Sequence, residues 1–320
     1  MIINKLKNIL KDDLVKLNKC IYINLISEIK LINNVSFYII NNPGKRIRPL
    51  LVILTAKIFK TTNNSHIQMA SVLEYIHTAT LLHDDVIDKA VLRRDKEATH
   101  IRWNNRTAIL VGDFLYSRAF QIMMLYENNK ILNIIAKTTN KIAEGEVLQL
   151  HNQYNYNITE KTYYHIIKLK TAKLFEASTN IGAVLNKNKK EDIKNITRCG
   201  YHIGVAYQIL DDLYDYKQNK TGKKCYNDLK EGKITLPLIY CLKNIKKINR
   251  IKLIKILKTP LRILNKENDI LHHLNQVNTI SYCEKKVQKE ITNALGVLNK
   301  VRINNIYTNI LKLFIQSINN

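Results

Sequence analysis

Three aspartates within five residues, set in an apolar run, are an arrangement that few folds tolerate, and this chain holds it twice. Asp84-Asp85-x-x-Asp88 lies in LLHDDVID (81–88) and Asp211-Asp212-x-x-Asp215 in YQILDDLYD (207–215). On an α-helix positions i and i+4 share a face, so Asp84 and Asp88 project together, as do Asp211 and Asp215. Carboxylates this close repel one another and raise each other's pKa unless a cation neutralises them. Aspartate is also a poor helix former. Mg2+ removes both difficulties, because it prefers carboxylate oxygens and completes its octahedron with water and substrate phosphates. One such cluster is compatible with a solvated helix turn. Two, both embedded in apolar sequence, predict a metal site.

The rest of the chain predicts an all-α fold. Only nine Gly and four Pro punctuate 320 residues, which favours long helices and short loops. No alternating strand pattern, Asn-Gly hairpin signal or glycine-rich phosphate loop competes with that reading. Helical periodicity runs over about 3–31, 47–59, 66–88, 105–127, 129–150, 159–184 and 190–217. A basic loop follows the first cluster, a polar loop covers 221–233, and lysine-rich helices extend beyond it. No linker or repeat marks a boundary, so residues 1–320 read as a single large domain.

The formal charge is +25, from 51 basic and 26 acidic residues, which invites a nucleic-acid or membrane-surface reading. The excess is mostly Lys, scattered through an Asn- and Ile-rich chain, whereas bidentate recognition of phosphate or guanine favours Arg. Compositional drift accounts for such a mixture. No helix-turn-helix, RNA motif or aromatic-interleaved patch accompanies the charge, so no nucleic-acid partner is expected. Five cysteines, without a C-x-x-C pair, fit a reduced cytoplasmic chain lacking disulfides or structural zinc. The opening MIINKLKNILKDDLVKL reads as an amphipathic helix, neither signal nor transit peptide. No apolar stretch reaches the roughly 18 residues of a membrane span. Peripheral contact with the inner membrane stays open.

Basic residues surround the clusters. Pro43-Gly44-Lys45-Arg46-Ile47-Arg48-Pro49 places three cations in a turn before a helix, with Lys45 and Arg48 steered by prolines. Arg93-Arg94 begins five residues past Asp88. With two carboxylate faces nearby, these point to a polyphosphate: Mg2+ takes some oxygens and cationic side chains take the rest. Lys170, Lys223 and Lys233 extend the same clamp. His77, Thr78 and Thr80 precede the first cluster on one helix, where a lone His is either a packed residue or part of the site. Gln208 falls on nearly the face of Asp211 and is a candidate diphosphate or metal-water partner.

GKRIRP (44–49), HDDVID (83–88), RR (93–94), GDFLYSRAF (112–120), GEVLQ (145–149), KTAKLF (170–175), AYQILDDLYD (206–215) and the run from Gly222-Lys223 to EGKITLP (231–237) occur in one order. In these elements, over about residues 40–240, the chain resembles the trans-isoprenyl diphosphate (polyprenyl) synthases. The similarity is greatest to the bacterial octaprenyl branch, around EYIHTATLLHDDVID and AEGEVLQL. The resemblance implies an isoprenoid synthase fold, a bundle of long helices around a deep central cavity, normally a homodimer. It implies Mg2+-dependent, head-to-tail condensation of isopentenyl diphosphate onto an allylic diphosphate such as farnesyl diphosphate, with two or three Mg2+ ions. Asp84, Asp88 and Asp211 would carry the principal metal contacts, supported by Asp85, Asp212 and Asp215. Arg93, Lys170, Thr171, Gln208, Lys223 and Lys233 would hold the allylic diphosphate, and Lys45, Arg48, His77 and Arg94 isopentenyl diphosphate. The product, expected to be octaprenyl, would supply a quinone side chain. Synthesis of a shorter or otherwise different chain length and a non-catalytic subunit of a heteromeric synthase are the alternatives. A terpene cyclase normally lacks a second such cluster and the KRIRP element.

The growing chain would run down the helix that bears Asp84. Ala79 and Thr80 lie about 6–8 Å below the metals at 1.5 Å per residue, and their small size leaves the cavity open. Ile76 is about one turn further, and Met123-Met124 are candidates for a deeper floor. Three family glycines are replaced, by Asp95, Asn104 and Tyr226. Asp and Asn tolerate left-handed backbone, whereas bulky Tyr226 resists it. Asn227 also stands where the family often has Asp, so closure of the 221–233 loop is the weakest part of the match.

Overall fold

The structure, a computed structural model, describes residues 2–61, 63–126, 128–216, 226–258 and 266–319. In chain order the described helices are α1 (Ile2–Ile9), α2 (Lys11–Leu25), α3 (Lys30–Ile40), α4 (Ile47–Ile58), α5 (Ser65–Ile87), α6 (Thr99–Arg102), α7 (Asn105–Met124), α8 (Asn129–His151), α9 (Glu160–Ile167), α10 (Lys173–Val184), α11 (Lys190–Tyr214), α12 (Asn227–Lys230), α13 (Leu236–Asn244), α14 (Lys247–Leu257), α15 (Glu267–Gln276), α16 (Thr279–Leu298) and α17 (Ile306–Gln316). The fold is all-α apart from a minimal antiparallel ladder, β1 (Leu92–Arg93) and β2 (Lys96–Glu97), in register Leu92↔Glu97 and Arg93↔Lys96. No helix among the described residues is long and apolar enough to cross a membrane.

Three local features depart from the sequence reading. The run 3–31 is divided into α1 and α2, and α3 occupies a stretch where no helix was expected. The basic loop after the first cluster contains the β1–β2 hairpin, whose Arg94 and Asp95 have φ of 54° and 63°. Two consecutive left-handed residues make the tight turn that matches strand twist, so Asp95 takes the conformation expected of a glycine replacement. Asn104 does not. Its φ of 169° is extended, and its side chain accepts the Thr107 N–H to cap α7.

The chain divides into two compact units. One comprises Met1–Thr139, Ala177–Thr197 and Lys300–Phe314; the other comprises Asn140–Glu176, Arg198–Asn299 and Ile315–Asn320. In the first, α5 packs against α2, α4 and α7. Leu73, Tyr75, Ile76 and Ala79 are buried, and the Tyr75 hydroxyl donates to the Ile21 carbonyl at 2.7 Å. A helix held on several sides through its first four turns presents its last turn, the DDVID segment, in a fixed direction.

In the second unit the run expected as one helix over 159–184 is interrupted by a π-turn, Lys168–Ala172. Two glycines allow its neighbours to approach. A Cβ on Gly145 of α8 would lie 2.7 Å from the Lys170 backbone nitrogen, and one on Gly204 of α11 would lie 2.7 Å from Ala172 Cα. Such single-turn π segments recur where a helix carries functional groups; this one carries Lys170 and Thr171. Gly204→Ala should therefore destabilise the protein by about 1–3 kcal/mol through overpacking. Gly296→Ala on α16, where nothing lies within 4 Å, should stabilise it by about 0.4–1 kcal/mol. Denaturant unfolding of the two variants checks both signs.

Candidate active site

The first aspartate cluster closes α5. Asp84 and Asp88 keep part of their surface, while Asp85 is buried at 3% exposure. Arg93 on β1 grips the buried carboxylate: Nε donates to Oδ1 at 2.9 Å and Oδ2 at 3.2 Å, and Nη2 also donates to Oδ1. One charge of the cluster is thus neutralised from behind by a forked guanidinium, and the other two face outward. Asp85 and Arg93, assigned to metal and allylic diphosphate by resemblance, are engaged with each other.

The cationic turn lies in the same unit. Arg48 Nη1 donates to His77 Nε2 at 3.1 Å, so that nitrogen is the acceptor. Burial, with Arg48 and Arg94 nearby, holds the His77 pKa well below its ordinary value. The ring is neutral. Arg94 Nη1 donates to the Asn42 carbonyl at 2.7 Å, and its guanidinium occupies the space a Cβ on Gly44 would need, 2.6 Å from Nη2. Lys45 is exposed. Beneath this array lies Glu74, buried on α5, with Oε1 3.6 Å from Arg46 Nε. Burial raises its pKa, against the pull of Arg46, Arg48 and Arg94. Sequence reasoning missed Glu74; an acid three residues before His77 inside SVLEYI was its only signal. An open pocket of about 370 Å3 adjoins the array, bordered by Asn42, Thr78, Asp85, Arg93 and Arg94.

The second cluster, at the end of α11, has the same division. Asp211 is exposed and Asp212 is buried. The Tyr163 hydroxyl donates to Asp212 Oδ2 at 2.5 Å, and Gln208 Nε2 donates to Oδ1 at 2.7 Å. Thr171 Oγ1 in turn donates to Gln208 Oε1 at 2.6 Å. Burial raises the Asp212 pKa, and the hydrogen bonds from Tyr163 and Gln208 oppose the rise. Asp215 accepts the backbone N–H groups of Asn227 and Asp228 at 3.0 and 3.1 Å, capping α12. Lys170 Nζ donates to Glu146 Oε2 at 2.6 Å and Gln149 Oε1 at 2.8 Å, and Lys233 pairs with Glu231 at 2.7 Å. Lys223 lies outside the described residues. Tyr163 was not foreseen, and Glu146 and Gln149 were visible only as letters of GEVLQ.

Two further expectations can be placed. Tyr226 does adopt left-handed backbone, φ 47°, with its ring buried edge-on against Tyr216 at 6.0 Å. Packing offsets the 1–2 kcal/mol or so that such a conformation costs a non-glycine residue. Of the chain-length candidates, Ala79, Ile76 and Met123 are buried, whereas Thr80 keeps some surface and donates its hydroxyl to the His77 carbonyl at 2.8 Å. Helix geometry explains the difference: a residue four before Asp84 is rotated about 40° from it, and one five before about 140°.

The outward oxygens of Asp84, Asp88 and Asp211 are hard donors of the kind Mg2+ prefers. Among the described residues no three His, Cys, Asp or Glu side chains converge tightly enough to cage an ion. A cation held at either cluster would complete its shell with water and diphosphate, which is how Mg2+ is usually bound. The donors fit such an ion.

The polyprenyl synthetase family model matches residues 29–274. Octaprenyl diphosphate synthase of Escherichia coli is 35% identical over 303 residues, covering 93% of each chain. A decaprenyl diphosphate synthase crystal structure from Rhodobacter capsulatus superposes with a TM-score of 0.94 at 29% identity, over 99% of this chain and 98% of that one. A Caulobacter crescentus polyprenyl synthase, crystallised with calcium and isoprenyl diphosphate, gives 0.90 at 30% identity over the same shares. The all-α fold of the isoprenoid synthase type and the matching relatives define a prenyltransferase. The chain belongs to the polyprenyl synthetase family, as a trans-polyprenyl diphosphate synthase. Tyr163→Phe removes only the hydroxyl that satisfies Asp212 Oδ2. It is expected to lower stability by about 1–3 kcal/mol, read from denaturant unfolding, with the far-ultraviolet helical signal unchanged.

Proposed function

We propose that this chain extends an allylic diphosphate, with farnesyl diphosphate as the preferred primer, by successive isopentenyl units to an all-trans octaprenyl diphosphate destined for a quinone side chain. The observation that carries the reading is the outward pair Asp84 and Asp88, one turn above Thr80 on a helix with no aromatic plug at that level. The coverage shared with curated octaprenyl enzymes supports the same length. Residues 1–320 act as one catalytic domain in this reading, in the cytoplasm with transient contact at the inner membrane. A homodimer is supported by the outer face of α7 and the residue after it, where Leu110, Met124 and Leu125 are 66%, 64% and 79% exposed.

Each cycle breaks the allylic C–O bond, joins the allyl carbon to the isopentenyl double bond, and releases a proton to the departing diphosphate. Lys170, Thr171, Gln208, Lys233, Lys223 and Arg93 hold the allylic diphosphate and stabilise its negative charge as the bond breaks. Lys45, Arg48 and Arg94 hold isopentenyl diphosphate, with neutral His77 orienting Arg48. Two or three Mg2+ ions, bound by Asp84, Asp88 and Asp211 with the remaining aspartates in support, would supply further charge neutralisation. Apolar walls exclude the water that would trap the carbocation.

Chromatography of dephosphorylated products from isopentenyl and farnesyl diphosphates with Mg2+ tests this. Octaprenol should dominate, and Asp84→Ala should reduce kcat/KM by about 10²–10³. Products no longer than the geranylgeranyl chain would overturn the proposed length. Thr80→Phe should shorten the product while leaving the first condensation intact.

A further inference from the structure

One surface of the second unit has no part in this chemistry. From Lys243 to Lys258 the chain carries seven basic residues (Lys243, Lys246, Lys247, Arg250, Lys252, Lys255 and Lys258) and no acidic one. Most of this stretch is α14, whose apolar residues are spread around the helix, with Ile254 and Ile256 half-buried on its flanks. Leu253 and Leu257 are buried and face α15. At 100° per residue Ile248 and Ile251 point the other way, and they are 69% and 50% exposed. Lys247, Lys252, Lys255 and Lys258 interleave with them on that outer face, all exposed. Arg250 is turned aside, donating to Asn157 Oδ1 at 2.7 Å.

We infer that the outer face of α14 is a docking surface for an anionic lipid bilayer. Two isoleucines ringed by lysines, with no acid on α14 and with Glu267 of neighbouring α15 buried and its Asp269 paired with Lys266, match what an interfacial helix requires. Ammonium groups reach lipid phosphates while their stems and the isoleucines enter the acyl boundary. A protein partner is the poorer match. Protein interfaces are enriched in aromatic residues and Arg and depleted in Lys, and the outer face offers Lys and Ile alone. The helix spans about 16 Å at 1.5 Å per residue, so it lies on a membrane and does not cross it. The attachment is weak and reversible, since each lysine near an anionic surface contributes about a fivefold gain in partitioning at moderate salt. The surface does not depend on product length, but a synthase that makes a water-insoluble chain gains a route to deliver it.

Sedimentation of the full chain with vesicles tests this, using about 30% phosphatidylglycerol in phosphatidylethanolamine against pure phosphatidylcholine. Wild-type protein should bind the anionic vesicles and release as salt rises. Lys252→Glu/Lys255→Glu should weaken binding about 25-fold or more. Lys16→Glu/Lys19→Glu on α2, with the same change in net charge, should weaken it only a few-fold. Ile248→Ser/Ile251→Ser should reduce binding about three- to tenfold with no change in charge. Equal binding to both vesicle types, no binding, or equal losses from the α14 and α2 charge variants overturns the inference. Synthase activity of all three variants on soluble substrates in detergent should stay at wild-type level, so failure here is separable from failure of the proposed reaction.

Discussion

A carboxylate can be buried only with a partner in hand, and both aspartate clusters meet that constraint in the same way. Each drives its middle aspartate inward and ties it from a neighbouring element. Asp85 is gripped by Arg93 across a two-residue hairpin, and Asp212 by Tyr163 and Gln208. The inward carboxylate locks a rotation that packing along its helix already sets. That rotation leaves Asp84, Asp88 and Asp211 at the surface, where a cation can reach them. The exposure of the outer carboxylates to a cation thus follows from a folding constraint.

Within each unit the cationic side chains are held by protein partners. Arg94 is held by the Asn42 carbonyl, Arg48 by neutral His77, and Lys170 by Glu146 and Gln149. Glu74 adds a buried carboxyl group under three guanidiniums, which pull its pKa down against the larger effect of burial. Side chains placed in advance would lose little conformational entropy on binding an anion.

Much of this was legible in the sequence, for definite reasons. The aspartate clusters declare themselves because helical spacing converts their letters into a shared face. The all-α class follows from the scarcity of Gly and Pro. The π-turn was illegible, because apolar periodicity is helical on both sides of 168–172 and a shift of phase within it leaves no mark. Tyr163 is one of 17 tyrosines, and nothing near it in the chain points to Asp212, 49 residues away. Ala79 and Thr80 looked equivalent as small residues below Asp84; their directions separate only once the helix is built. Tyr226 was expected to resist left-handed backbone and takes it, because ring burial against Tyr216 is a tertiary fact.

The inner and outer aspartates answer to different pressures. Asp85 and Asp212 are tied into the fold whether or not the protein turns over substrate, whereas Asp84, Asp88 and Asp211 keep surface that a ligand can reach. A descendant that kept the architecture but surrendered catalysis, as a silent subunit would, should still display Asp85, Asp212 and Asp215, whose partners lie within the fold. Within such a lineage, the surviving inner carboxylates would record the ancestry of the fold and say nothing of its present activity.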